Sequence, residues 1–231
     1  MPDAQDLTLL EAGTRRLVRT VDALADDQWP QPSLLPGWSR AHVVAHLTLN
    51  AEALSAALEG VHEGRPVPMY PSQEQRDADI VALATSASPS ELRDRFLAST
   101  TVIGEWVEEL ADNLADSEIQ RVPGGPVFPA GAIGAMRVRE VEIHHADLGL
   151  DHTAAGWSPE FVTMLLDGSS AADEGECFTL HATDLDRRWT FGSGGPTVSG
   201  VGSALAWWAT GRGSGDGLTS DDGRVPRIEA W

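Results

Sequence analysis

Apolar residues near the start of the chain recur at helical spacing. Leu10, Leu17, Val18, Val21 and Leu24 share one face of a 3.6-residue period, which predicts a first helix. The pattern breaks at Pro30, Pro32, Pro36 and Gly37. Ser39 then offers an N-cap hydroxyl to a helix from Arg40 to about Glu59. Residues 64–74 contain three prolines and read as a connecting loop. Ser88-Pro89-Ser90-Glu91 combines a capping box with proline at the first helical position, opening a helix to about Asn113. Residues 123–129 read as another loop, and a fourth helix runs from about Ala130 to Leu148, stopped by Gly149.

The texture changes after residue 150. Ser158-Pro159-Glu160 starts one more helix, to about Ala172. Short β-type runs follow at residues 177–182, 188–191 and 197–198, with a short helix at 203–210. Helices first and mixed elements later predict an α+β protein. A four-helix bundle over residues 1–152 would precede a smaller α+β domain over 153–231.

Composition narrows the function classes. A chain of 231 residues is long enough to bury a core without disulfides. With Cys177 as the one cysteine, an intramolecular disulfide and a cysteine-based zinc cage are both excluded. The N-terminal ten residues carry Asp3 and Asp6 where a secretory signal would carry basic residues. No run reaches the roughly 18 apolar residues of a membrane span. These features predict a cytoplasmic protein with no membrane partner. A formal net charge of −19 argues against nucleic acid, whose phosphates need a basic surface. A monomer is expected.

Four of the seven histidines fall in two helical stretches, His42-Val43-Val44-Ala45-His46 and Glu140-Val141-Glu142-Ile143-His144-His145. Residues four apart on a helix project from one face, so His42 pairs with His46 and Glu140 with His144. Imidazole and carboxylate suit zinc, and two facing helices of a bundle can supply such ligands. Ordinary alternatives exist: a hydrogen-bonded histidine pair, or Glu140 paired with Arg137 or Arg139. His62, His152 and His181 carry no signal of their own. The chain has no HExxH, CxxC, GxSxG or P-loop motif. The glycine-rich run 211–217 reads as a loop that lets a backbone or an arginine approach a ligand. Cys177 lies in an apolar run and is expected to be buried and structural.

These residues carry a family resemblance. Leu35-Pro36-Gly37-Trp38-Ser39, with His42 to His46 behind it, resembles the metal-binding N-terminal domain of mycothiol-dependent maleylpyruvate isomerases, a branch of the DinB-like helical bundles. Met136 to His144 resembles that family's second metal segment. Asn50-Ala51, Pro68-Met69-Tyr70, Val198-Ser199-Gly200, Gly211-Arg212-Gly213-Ser214, Asp216-Gly217 and Val225-Pro226 extend the likeness over nearly the whole chain. The C-terminal part resembles sterol-carrier-like domains.

The resemblance implies zinc ligands at His46, Glu140 and His144, and a functional arginine at Arg212. His42 and His145 are then not ligands, and His42 becomes a supporting residue. It also implies mycothiol as thiol cofactor and maleylpyruvate, an intermediate of gentisate degradation, as the small anionic substrate. Reversible addition of the thiolate at the alkene carbon conjugate to the ketone leaves an enolate and makes the cis double bond single; rotation and loss of the thiolate give trans fumarylpyruvate. Two rival readings use the same features. A zinc-dependent mycothiol S-transferase would keep the thiol conjugate. A non-enzymatic metal- or ligand-binding protein would close its zinc shell with a fourth protein ligand such as His42.

Overall fold

Two serine hydroxyls start the two longest helices. Ser39 Oγ accepts from the backbone N–H of His42 and opens α2 (Arg40–His62). Ser88 Oγ accepts from Glu91 N–H while the Glu91 carboxylate returns to Ser88 N–H, opening α4 (Pro89–Glu109). Each cap satisfies donors that the helix cannot reach, which is worth about 1 kcal/mol. The computed structural model describes residues 4–172 and 177–228, and the chain divides into two units between Leu150 and Asp151.

The first unit also contains α1 (Ala4–Asp22), α3 (Gln73–Ser86) and α5 (Ile133–Asp147). Helix α2 packs most extensively on α4, and α1 on α5. These four helices form the expected bundle, with Leu17, Val21, Leu47, Leu54, Phe96, Ile103, Val138 and Ile143 in its core. Helix α2 is its centre: 15 of its 23 residues are buried. Polar residues on α2 therefore lie inside and need partners, since an unpaired buried polar group costs several kcal/mol.

Three local features depart from the sequence expectation. A fifth helix, α3, packs on α2 and begins at Ser72, whose side chain caps Gln75 N–H. Its only buried residue is Ile80, so its sequence has almost no apolar stripe to betray it. Second, α4 stops at Glu109, because Leu110 leaves the helical region. Third, strands β1 (Glu118–Gln120) and β2 (Val127–Pro129) pair antiparallel across the loop before α5.

The second unit, described by itself, contains α6 (Pro159–Ala172), α7 (Gly202–Ala209) and a four-stranded sheet. Its strands are β3 (Phe178–Ala182), β4 (Arg187–Phe191), β5 (Thr197–Gly200) and β6 (Thr219–Ser220), in the order β4-β3-β5-β6. The β3–β4 and β5–β6 pairs are antiparallel and β3–β5 is parallel. Phe178, Leu180 and Ala182 alternate inward, and α6 and α7 pack together. Together the two units make the protein α+β.

Cys177 corrects an expectation. It lies just before β3 and is exposed, with Sγ accepting from Ser193 Oγ at 3.3 Å. The apolar stripe of the strand begins one residue later, at Phe178. Among the described residues, no helix is long and apolar enough to cross a membrane.

Candidate metal centre

His46 lies in the second turn of α2, Glu140 in the middle of α5 and His144 one turn later. The bundle brings them together: one ligand atom from each lies within 4.8 Å of the other two. Glu140 Oε2 is the shared point, 2.8 Å from His46 Nε2 and 3.3 Å from His144 Nε2. The imidazoles meet edge to face with centroids 4.6 Å apart. Both histidine side chains are over 90% buried, while Glu140 keeps 17% exposure, so the cluster reaches solvent on the carboxylate side.

The hydrogen bonds behind the ligand atoms set their chemistry. Asp147 Oδ2 accepts from His144 Nδ1–H at 2.8 Å, which directs the Nε2 lone pair of the neutral ring at Glu140. Two acceptor atoms then converge at 3.3 Å, an arrangement that asks for a proton or a metal ion between them. Burial disfavours the charged form of His144, but Asp147 and Glu140 outweigh it and raise its pKa. His46 differs: burial dominates the pull of Glu140 and lowers its pKa to about 4. Burial pushes the Glu140 carboxyl up, yet the two imidazoles bring it well below the usual carboxylate range.

The donor set fits a divalent ion. A tetrahedral zinc with ligands at about 2.1 Å separates them by about 3.4 Å. The two spacings to Glu140 Oε2, 2.8 and 3.3 Å, lie close to or somewhat below that value, and all three ligand atoms stay within 4.8 Å of one another. The carboxylate–histidine contact from Asp147 is the usual outer support of a metal-bound imidazole. Among the described residues no fourth histidine, cysteine or acid joins the group.

His42 and His145 point to other tasks. His42 Nδ1 sits 2.7 Å from Ser39 Oγ and 3.3 Å from Ser39 N, closing the helix cap reciprocally. His145 Nε2 meets Thr20 Oγ1 at 2.8 Å, facing α1. Trp38, just before α2, lays its ring 5.8 Å from that of His46.

Positive charge surrounds the cluster. Arg137 is fully buried and donates to Asn50 Oδ1 at 2.6 Å, so it does not serve as the ordinary ion-pair partner of Glu140. Burial lowers the pKa of Arg137 and Arg139, and the charge of Glu140 offsets part of that. Arg76, on α3, donates to His46 Nδ1 at 3.1 Å and lies 5.8 Å from the Tyr70 ring centroid. Sequence reasoning missed both Asp147 and Arg76. His144-x-x-Asp147 on one helix is a signal that could have found Asp147. Arg76 had none, because its helix was itself hidden.

In the second unit, Arg212 follows α7 between Gly211 and Gly213, both at positive φ. Its side chain is buried, donates to the Thr210 carbonyl at 3.1 Å and lies 5.9 Å from the Trp207 ring. A Cβ at Gly213 would stand 3.2 Å from Trp207 Nε1, so glycine there lets the loop hug the indole beside the guanidinium. Trp208 is a core residue whose indole donates to the Pro226 carbonyl.

Comparisons with known proteins bear on the family and the fold. Residues 10–149 match the family model described as the mycothiol maleylpyruvate isomerase N-terminal domain. No curated protein sequence matches at a significant level. Two solved structures resemble the whole chain, each with a TM-score of 0.88 over 100% of this chain and 98% of its own length. One is a mycothiol-dependent maleylpyruvate isomerase, 30% identical. The other is a variant of such an enzyme with one histidine replaced by alanine, 29% identical. A match over most of the helical unit and a relative alike from end to end place this chain in the mycothiol-dependent maleylpyruvate isomerase family.

Proposed function

We propose that the chain catalyses the mycothiol-dependent cis–trans isomerisation of maleylpyruvate to fumarylpyruvate at a zinc ion held by His46, Glu140 and His144. The observation that carries this reading is the convergence of those three ligand atoms within 4.8 Å, inside the segment that matches the family. Three protein ligands with one partly exposed side suit an open catalytic ion better than a closed structural one.

The chain's residues have separable tasks. Asp147 holds the Nδ1 proton of His144 and so presents the Nε2 lone pair to the metal. Glu140 brings one negative charge, leaving the loaded centre with a net positive charge that favours anionic ligands. Trp38 restricts the tilt of the His46 ring. When bound, zinc lowers the pKa of a thiol, and mycothiol supplies the nucleophile whose reversible addition frees the double bond to rotate. Arg212, held beside Trp207, is assigned to an anionic group of the substrate, which its planar guanidinium can grip with two donors.

The test is isomerisation of maleylpyruvate by the zinc-loaded protein, with and without mycothiol, following product and total thiol. Fumarylpyruvate formed only with mycothiol, and with thiol conserved, is the expected result. A thiol conjugate that accumulates would replace the isomerase reading by an S-transferase. No reaction at all would overturn both.

A further inference from the structure

Arg76 makes a contact that the metal reading does not accommodate. A guanidinium only donates hydrogen bonds, so in the contact between Arg76 and His46 Nδ1, at 3.1 Å, the imidazole nitrogen accepts. The ring proton then sits on Nε2, where Glu140 Oε2 takes it at 2.8 Å. A metal on Nε2 needs the lone pair at that atom, which moves the ring proton to Nδ1. Arg76 and His46 would then face each other donor to donor. The contact and the metal exclude one another.

The surroundings of Arg76 show where its donors could go next. Its side chain is 14% exposed, and its NH1 is held by Asp77 Oδ1 at 2.6 Å. Its Nε is buried without a hydrogen-bond partner. Tyr70, itself buried, packs against the guanidinium and shares a hydrogen bond with it. Once released by His46, this cation beside the metal cluster would carry the NH2 donor that His46 had accepted and the unpartnered Nε. These two N–H groups lie on one edge of the guanidinium, the edge that receives a carboxylate in the two-point manner.

Resting on the metal set and the anionic substrate proposed above, we infer that Arg76 is a substrate-binding residue gated by metal loading. It holds His46 in the metal-free protein, and in the loaded protein it turns its NH2–Nε edge to a carboxylate of the substrate. This assigns to the helical unit a cation of its own for the substrate.

The experiment compares wild type, Arg76→Met and Arg76→Lys. Zinc affinity is measured by chelator competition. Binding of maleate, a cis-dicarboxylate, to the zinc-loaded proteins is measured by calorimetry. Thermal melting and far-UV circular dichroism of each variant check the fold, and α3 buries so little that both variants should match wild type. Arg76→Met should bind zinc about threefold more tightly or better, because a competing hydrogen bond is gone. It should bind maleate about tenfold more weakly. With maleylpyruvate its KM should rise similarly while kcat changes little. Arg76→Lys, which keeps the charge but not the paired donors, should fall between the two. Unchanged maleate affinity in Arg76→Met, or undetectable maleate binding by wild type, overturns the inference, as does unchanged or weaker zinc binding. If these shifts appear while wild type fails to isomerise maleylpyruvate, the role of Arg76 stands and the proposed reaction falls.

Discussion

Asp147 Oδ2 lies 2.8 Å from His144 Nδ1, one turn further along the same helix, and Asp147 has no exposed surface. Its backbone carbonyl also accepts from Leu34 N–H at 2.8 Å, tying the end of α5 to the loop before α2. The carboxylate therefore does two things. It selects the tautomer that leaves Nε2 available, and it makes that nitrogen a stronger base. Asp147→Asn removes the charge while keeping the shape. We expect zinc affinity to drop about 10- to 100-fold, read by chelator competition. An affinity within twofold of wild type would show that Asp147 serves only packing.

Glu140 is the atom group both imidazoles share, so its loss should be felt at the metal before anything else. Glu140→Ala is expected to abolish stoichiometric zinc binding and isomerase activity together, with the far-UV circular dichroism spectrum retained. Full activity in this variant would sink the site assignment.

Acid should act on the cluster in two ways. The His144 pKa is raised in the folded protein, so zinc must displace a proton there, and its affinity should fall as the pH drops through that raised value. In the metal-free protein this same proton contributes stability below the unfolded value of about 6.5, lost as pH rises through the folded value. His46 works in the opposite sense. Its folded pKa is about 4, so between about 6.5 and about 4 the unfolded chain binds a proton that the folded ring refuses. Acidification across that window should lower the melting temperature of the metal-free protein. His46→Gln should flatten this slope; an unaltered slope would assign the effect to other groups.

Arg137 is expected to matter for stability. Its guanidinium is 1% exposed and joins α5 to Asn50 of α2. Arg137→Ala leaves a buried amide without its donor and opens a cavity, at a cost of about 3 kcal/mol or more. Urea denaturation monitored by tryptophan fluorescence measures this, and a loss below about 1 kcal/mol would contradict the packing described.

Gly13 permits the close approach of α1 to α5. A Cβ there would stand 2.7 Å from Glu142 Oε1 and 3.3 Å from Val141 Cγ1. Alanine usually stabilises a helix by about 1 kcal/mol over glycine. At this position Gly13→Val should instead destabilise by about 1–3 kcal/mol through overpacking. A melting temperature equal to or above that of wild type would refute the contact.

Much of this protein was legible in its sequence because the signals are local. Ser39 and Ser88 announce α2 and α4 through caps that lie within three residues of one another. The alternation Phe178, Leu180, Ala182 marks β3, and Glu140 and His144 share a helix face by spacing alone. The four-residue step could not say that His46, 94 residues earlier, would meet Glu140; that pairing came from the family resemblance, and the packing of α2 with α5 supplies its geometry. Helix α3 escaped notice because it buries one side chain, and the β1–β2 hairpin because each strand is three residues long. Local chain physics, turn by turn, determined the caps, the strand alternation and which residues share a face. Only the tertiary structure decided that Asp147 would back His144, that Arg76 would reach His46 and that Gly13 would admit α5. Contacts of this kind depend on how helices dock, and docking is settled by the summed burial of many distant side chains, a quantity that no short window of sequence contains.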